Sequence, residues 1–341
     1  MKRHTKPFII PVFIPNQGCP NRCAFCDQRS VTGADAAAPS PEDAKKRIQD
    51  FLCYKREHHW PVEIAFYGGT FTGLPYDYQE KLLKAAETFI AKGSVQAIRL
   101  STRPDTINKE TIGLLKKHGV TTVELGAQSM DNRVLSASRR GHTASDTVRA
   151  FGLLKDHNLK VGLQIMPGLP GDTEQSILDT GEKVASLSPD VVRIYPTVVL
   201  KNSHLARLYQ QGRYVPLTLE QGVRIAKELL CLFNSHGISV IRLGLQASDS
   251  LNGPNGIIAG PFHPSFGHLV HSAIFFDKVV ELIEKMKSKP TSITLRVAPS
   301  DVPKLRGLHN SNVRELRNRF HFEDIRVVPD SIIPKGSVAY G

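Results

Sequence analysis

"NQGCPNRCAFCDQ", residues 16–28, holds three cysteines within eight positions, spaced Cys-x3-Cys-x2-Cys at Cys19, Cys23 and Cys26. It follows directly on "FIIPVFIP" (residues 8–15), an apolar, β-branched run that predicts a strand. Pro20 and Asn21 prevent a regular continuation, so the three thiols gather in a loop beyond the strand's carboxyl end. Parallel sheets, open or closed, bind their ligands at that edge. The number of cysteines carries information. A structural zinc site takes four protein ligands, and no fourth Cys or His stands at normal spacing here, while Asp27 is a poor partner for three thiolates. An electron-transfer iron–sulfur cluster ordinarily takes four cysteines as well. Three leave one metal position open to a substrate or cofactor, and Phe25, just before the last cysteine, is placed to shield such a centre from water.

From residue 7 to about residue 246, short apolar runs alternate with amphipathic segments, the pattern of a parallel sheet covered by helices. Six further strands are expected at "VEIAFYGG" (62–69), "AIRLSTRPD" (97–105), "TTVELGAQS" (121–129), "KVGLQIMPG" (160–168), "DVVRIYPTV" (190–198) and "ISVIRLGLQ" (238–246). Within "EKLLKAAETFIAKG" (80–93), Leu82, Leu83, Ala86, Phe89 and Ile90 recur at helical spacing, and Gly93 stands where a left-handed residue ends a helix. Gly119, Asn158 and Gly237 repeat that stop signal just before the next strand, as the units of a barrel do. After residue 246 the chain changes character. "ASDSLNGPNGIIAGPFHPSFG" (247–267) reads as a long irregular loop, a helix is expected over 269–289, and "TSITLRVAP", "SNVRELRNRF" and "DIRVVPD" predict a small β-α-β appendix.

The 341 residues suit one large α/β barrel with such an appendix. A formal charge of +12 fits either a polyanionic partner or a generally basic surface, since the cations are scattered apart from Arg139 and Arg140 and a tail cluster of Lys304, Arg306, Arg314, Arg317 and Arg319. No apolar run approaches the roughly 20 residues of a bilayer span, and two prolines interrupt the start where a signal peptide would be apolar, so a cytoplasmic protein with no membrane partner is expected. Cys53 and Cys231, alone in helical surroundings, read as small hydrophobes. The other three, clustered in an intracellular chain, point to metal or catalysis and not to disulfides.

Cys-x3-Cys-x-aromatic-Cys after the first strand of an α/β barrel resembles the signature of the radical S-adenosylmethionine (SAM) enzymes. That resemblance implies a partial (βα)6-type TIM barrel over residues 1–246; the sequence pattern adds a loop and helix connecting region over 247–289 and the α+β appendix over 290–341. It also implies a 4Fe-4S cluster on Cys19, Cys23 and Cys26 whose fourth iron binds SAM, and an electron donor such as flavodoxin or ferredoxin. A reduced cluster would cleave SAM to methionine and a 5'-deoxyadenosyl radical.

Later strand ends fit this reading, each beside a plainer one. "YGGTF" places Gly68 and Gly69 where the family's glycine pair meets the methionyl ammonium, with Thr70 where many relatives carry an acid; glycines also simply make tight turns. In "STRPD", Ser101 and Arg103 are candidates for ribose or carboxylate contact, although Arg103 and Asp105 could only pair with each other. Gln128 is implied at the ribose, with Glu124 equally readable as a polar residue of the barrel interior. The backbone of Ile165 and Met166, before a turn fixed by Pro167 and Pro170, is implied at the adenine. Tyr195 and Lys201 either touch substrate or line the wall. His263, His268 and His271 are candidates for substrate contact or, less directly, a second metal.

Together "GGTF", "STRPD", "VELGAQS", "RRGHT", "IMPGLPG" and "IYPTVVLK" resemble, in order and spacing, the radical domain of the Elongator catalytic subunits over roughly residues 7–220. The resemblance implies tRNA as partner. It departs in that neither an acetyltransferase domain after the barrel nor an RNA-binding extension before it is expected from these residues, which puts acetyl transfer in doubt. Two other readings stay open: an oxygen-independent coproporphyrinogen oxidase-like tetrapyrrole enzyme, and a non-catalytic iron–sulfur or zinc protein.

Overall fold

The computed structural model describes residues 7–14, 17–27, 38–54, 61–246, 251, 256–286 and 290–341. Asn16 and Gln28, the predicted element ends Pro15 and Lys289, and most of residues 247–255 lie outside them.

The strands run β1 (Phe8–Ile14), β2 (Val62–Gly68), β3 (Ala97–Thr102), β4 (Val120–Gln128), β5 (Lys160–Ile165), β6 (Val191–Ile194), β7 (Val199–Leu200) and β8 (Ser239–Leu243). All except β7 form one parallel sheet in the order β1-β2-β3-β4-β5-β6-β8, so β1 and β8 are its two ends and the barrel is partial. These are the seven parallel strands expected from the sequence. Several strands stop before their apolar runs do, because Pro104, Pro167 and Pro196 follow within two residues and cannot donate to a ladder.

Helices cross between the strands, and their ends are written into the sequence. Ser40, Asn108, Thr143, Thr173 and Thr218 each cap a helix in a reciprocal capping box. Gly93, Gly119, Asn158 and Gly237 have φ between 59° and 77°, the left-handed conformation that the stop signals required.

Strand alternation sorts the residues onto two faces. Ile10, Val12, Ile64, Phe66, Ile98, Leu100, Val123, Leu125, Val161, Leu163 and Val192 pack outward with the helices in one apolar core. The alternate positions, among them Glu63, Tyr67, Arg99, Ser101, Glu124, Gln128, Gln164, Arg193 and Tyr195, line the other face.

Beyond β8, the strand β9 (Ile257–Ala259) pairs antiparallel with β7. β10 (Ser292–Val297), β11 (Asp324–Pro329) and β12 (Val338–Tyr340) make a second sheet, ordered β11-β10-β12, with β10 and β11 parallel and β12 antiparallel to β10. The β-α-β reading thus gains a third strand. The helix Phe266–Glu284 starts three residues earlier than expected and joins the two cores, with Phe266 and Val270 in the first and Phe275, Val279 and Ile283 in the second. Cys53 and Cys231 are helical but exposed, not buried as small hydrophobes, because each falls on the solvent side of its amphipathic helix.

Candidate active site at the mouth of the partial barrel

The cysteine loop is fixed by backbone contacts to three other strand-end segments. The Ala24 N–H donates to Ser138 O (2.9 Å) and the Leu205 N–H donates to Ala24 O (2.7 Å), which seats the loop between the segment after β4 and the helix His204–Gln210. Phe25 packs against the small cluster of Val199, Leu205, Ala206 and Tyr214. On the other side the Gly69 N–H donates to Ile14 O (2.6 Å) and the Thr70 N–H to Gln17 O (2.9 Å).

The glycines are there for approach as well as turning. A Cβ on Gly69 would stand 2.2 Å from Gln17 O, and one on Gly18, at φ +70°, would stand 2.1 Å from Thr70 O. With those two N–H groups engaged, the turn can offer an ammonium group carbonyl oxygens, which are the acceptors it needs.

Two of the thiols face hydrogen-bonding groups. The Thr70 hydroxyl, itself buried, lies 3.0 Å from Cys19 Sγ. Arg140, also buried, donates from Nη1 to Cys23 Sγ (3.4 Å) and from Nη2 to Gly126 O (2.7 Å), while its Nε finds no partner among the described residues. Burial first, then the neighbouring Cys23 and Cys19, push the Cys26 thiol up to about 12. Three thiolates together therefore call for a positively charged partner, and a metal centre supplies one. Among the described residues no three His, Cys, Asp or Glu converge as ligands of a single ion. A cuboidal cluster, by contrast, bonds each thiolate to a different iron. The donor set and the two groups aimed at sulfur fit such a cluster.

At the neighbouring strand ends, Gln128 is left-handed (φ 68°) and buried, its carbonyl accepts the Met166 N–H (2.8 Å), and its Oε1 accepts from Gln164 Nε2 (3.1 Å). Gln128 pairs in register with Ile165, and the Tyr195 N–H donates to Ile165 O (2.9 Å). These residues are thus brought together, although the Ile165 side chain belongs to the outer core and only its backbone faces the mouth. Ser101 shares the inner face with Arg99. Arg103 is buried and gives Asp105 two hydrogen bonds (2.9 and 2.8 Å), the mutual pairing left open by the sequence.

Lys201 is exposed, and its N–H donates to Gly256 O (3.0 Å) beside the β7–β9 pair. His263 Nδ1 accepts the Ser265 N–H (3.0 Å) at the start of the long helix, where His268 Nε2 lies 3.4 Å from Ser272 Oγ and His271 is one turn on.

A connected group of charges on the inner face was not foreseen. Glu124, 5 % exposed, accepts from Arg193 Nη2 (2.9 Å), Arg99 Nη1 (3.1 Å) and the Tyr67 hydroxyl (3.3 Å), and its other oxygen is ion-paired with the Arg193 guanidinium, 2.6 Å from Nε. Arg99 also pairs with Glu63, and Arg193 Nη1 donates to the Tyr195 hydroxyl (3.1 Å). Burial leads the shift that pushes Tyr67 up to about 12, so its hydroxyl keeps its proton through the working pH range. The signal was present as one charged residue inside each of "VEIAF", "AIRLS", "TVELG" and "VVRIY".

A parallel partial barrel with three cysteines after its first strand and a glycine pair after its second is the architecture of one enzyme class. Residues 13–184 match the Radical SAM superfamily and residues 189–275 its Radical SAM C-terminal domain. The chain belongs to the Radical SAM superfamily and is an enzyme of that class. It is 31% identical over 296 residues to an uncharacterised protein of Methanocaldococcus jannaschii, covering 83% of this chain and 86% of that one. It is 32% identical over 184 residues to the tRNA uridine(34) acetyltransferase of Methanocaldococcus infernus, covering 48% of this chain but only 34% of that one. Among solved structures, the archaeal Elp3 of Methanocaldococcus infernus with an N-terminal deletion matches with a TM-score of 0.63 at 23% identity, covering 78% of this chain and 62% of that one, a likeness of fold. The family implies a 4Fe-4S cluster and SAM. No helix among the described residues is long and apolar enough to cross a membrane.

Proposed function

We propose that Cys19, Cys23 and Cys26 hold a 4Fe-4S cluster, that the adjoining strand ends hold SAM, and that the enzyme acts on RNA, with tRNA as the first candidate. The observation that carries this reading is the packing of the cysteine loop, backbone to backbone, against the Gly68–Gly69 turn, with Thr70 and Arg140 aimed at two of its sulfurs. When bound, the reduced cluster supplies one electron to the sulfonium of SAM, giving methionine and a 5'-deoxyadenosyl radical able to abstract hydrogen. This chain's own residues bind and orient. Carbonyls of the glycine turn accept from the methionyl ammonium. Arg140, a buried cation with an unpartnered N–H, suits the carboxylate. Gln128 suits the ribose hydroxyls, and the backbone of Ile165 and Met166 suits the adenine. Phe25, seated on Leu205 and Tyr214, keeps water from that side of the loop.

RNA is supported by the tRNA-modifying relatives, which share a third to a half of their length with this chain, and by the +12 charge. Acetyl transfer is not proposed, because only 34% of the acetyltransferase is shared. The test is anaerobic reconstitution followed by reduction with dithionite. About four irons and four sulfides per chain, a spectrum altered by SAM, and methionine formation are expected, all lost in Cys23→Ala. One zinc per chain without SAM cleavage would sink the proposal. For the substrate, tRNA nucleosides from cells with and without the protein should differ by a modified base; unchanged nucleosides together with a co-purified tetrapyrrole would move the enzyme to that class.

A further inference from the structure

The chemistry just proposed consumes one electron per SAM cleaved, and an external reductant must deliver it through the surface nearest the thiols. That surface is where three loops meet on Ala24, the residue after Cys23: its N–H is held by Ser138 and its carbonyl by Leu205. The residues next to these anchors are basic side chains, chiefly arginines. Arg22 precedes Cys23, Arg139 follows Ser138, and His204 precedes Leu205, with Arg207 one turn on and Arg213 after the helix. All four arginines are exposed. Gly141 approaches the Asn21 side chain so closely that a Cβ there would stand 2.1 Å from its Nδ2, which places the Arg139 segment beside the cysteine loop. None of the four is in an ion pair with a described residue, although the described surface elsewhere pairs its arginines freely, as at Arg133, Arg149 and Arg224. Desolvation first, then Arg139, Arg207 and Arg213, lower the His204 imidazole, so the positive charge of this rim is carried by the arginines. Asp27, the nearby carboxylate, takes a hydrogen bond from Asn202 (3.3 Å).

We infer that this basic rim, formed by Arg22, Arg139, His204, Arg207 and Arg213, is the docking surface for an acidic one-electron carrier protein. The inference rests on the radical SAM reading above. Position favours a carrier over RNA: the cations surround the backbone that bears Cys23, so a partner seated there is separated from the sulfurs by the thickness of one loop, whereas the polar inner face below the loop is where a substrate must lie. Charge complementarity selects the partner and speeds its encounter. The step is a simple electron transfer. An anionic flavin hydroquinone, or a reduced iron–sulfur centre, in the carrier loses one electron, becoming the neutral semiquinone or the oxidised centre, and the oxidised cluster in this chain gains it; no proton or group moves.

The test compares two reductants on the reconstituted full chain, with the cluster signal read by electron paramagnetic resonance. Reduced flavodoxin should reduce the wild-type cluster at a rate that falls steeply as ionic strength rises. Combining Arg139→Glu, Arg207→Glu and Arg213→Glu should slow that reduction about tenfold or more at low salt, within the range that steering spans, while dithionite reduces both proteins to the same extent. A wild-type rate indifferent to salt, or a triple variant reduced by flavodoxin as fast as wild type, overturns the inference without touching the radical SAM reading. So does a variant that keeps its flavodoxin rate but loses tRNA binding, which would give the surface to RNA. The absence of any dithionite-reducible cluster sinks the radical SAM reading and this inference with it.

Discussion

The two faces of the seven-stranded sheet are built from the same strands yet hold together by different forces. Toward the helices, Ile64, Phe66, Ile98, Leu100, Val123 and Leu125 pack in a continuous apolar core. One residue along each strand, toward the inside, Glu63, Tyr67, Arg99, Glu124 and Arg193 form a charged and hydrogen-bonded group. A closed barrel fills its centre with layers of branched side chains. A partial barrel that keeps its interior open has to line that space with polar groups that can face water or substrate, and the lining is stable only if its charges are paired.

The largest effect is expected where that pairing is broken. Glu124→Ala leaves two half-buried guanidiniums without their shared carboxylate and should cost about 3–5 kcal/mol. On the opposite face, Phe66→Ala should cost a similar amount, about 3–5 kcal/mol, through a cavity. Equal size with different cause is what makes the pair informative. Adding Glu63→Gln, Arg99→Met and Arg193→Met to Glu124→Ala should restore most of the loss, because the uncompensated charges, including the carboxylate that Arg99 otherwise pairs, are gone, whereas no substitution on the inner face should rescue Phe66→Ala. Denaturant melts of the four proteins check this. If the added methionines deepen the loss, the inner face is held by packing like the outer one.

A smaller, pH-dependent effect is expected from His142, which is buried at the mouth between two guanidiniums. Burial, then Arg140 and Arg103, lower its imidazole to about 4 from an ordinary 6.5. The fold therefore prefers the neutral ring. Its contribution is complete above pH 6.5 and declines as pH falls toward 4, on the order of 3 kcal/mol in all. His142→Gln should flatten the stability profile across that window; an unchanged slope would mean the ring is solvated in the folded protein.

The sequence made the outer frame and the thiols legible because their signals are local. Strand periodicity, capping residues, left-handed stops and the Cys19-Cys23-Cys26 spacing can each be read within a few residues. The missing parts are all contacts at a distance. Arg140 meets Cys23 across 117 positions and Thr70 meets Cys19 across 51. "RRGHT" revealed two arginines but not that Arg140 turns inward while Arg139 stays exposed, which follows from the left-handed Arg139 (φ 54°). Likewise one charge in each of four strands gave no hint of partnership, since only the register decides that Ser101 and Gly162 flank Glu124, leaving it within reach of Arg99 and Arg193. Arg103 was the opposite case: its partner, two residues away, was visible in the sequence, and the structure forms that pair.

The smallest expected effect separates the mouth from the helix behind it. Thr143 and Asp146 form the capping box of the helix Ala144–Asp156, directly after His142. Hydrogen bonds from the Thr143 backbone, then its side chain, lower the Asp146 carboxyl to about 2 from 3.8. This contribution is present above pH 3.8 and is lost as pH falls through about 2, below the window in which His142 acts. Thr143→Ala should cost about 1 kcal/mol at neutral pH, as cap removals do. It should weaken the stability loss between pH 4 and 2 and leave the step between 6.5 and 4 in place. His142→Gln should do the reverse. Two acid steps, the upper removed by His142→Gln and the lower weakened by Thr143→Ala, would establish that the charged mouth and the helix shell respond to acid independently. A single step erased by either variant would mean instead that Thr143 holds the loop in which His142 is buried, and that mouth and shell unfold as one.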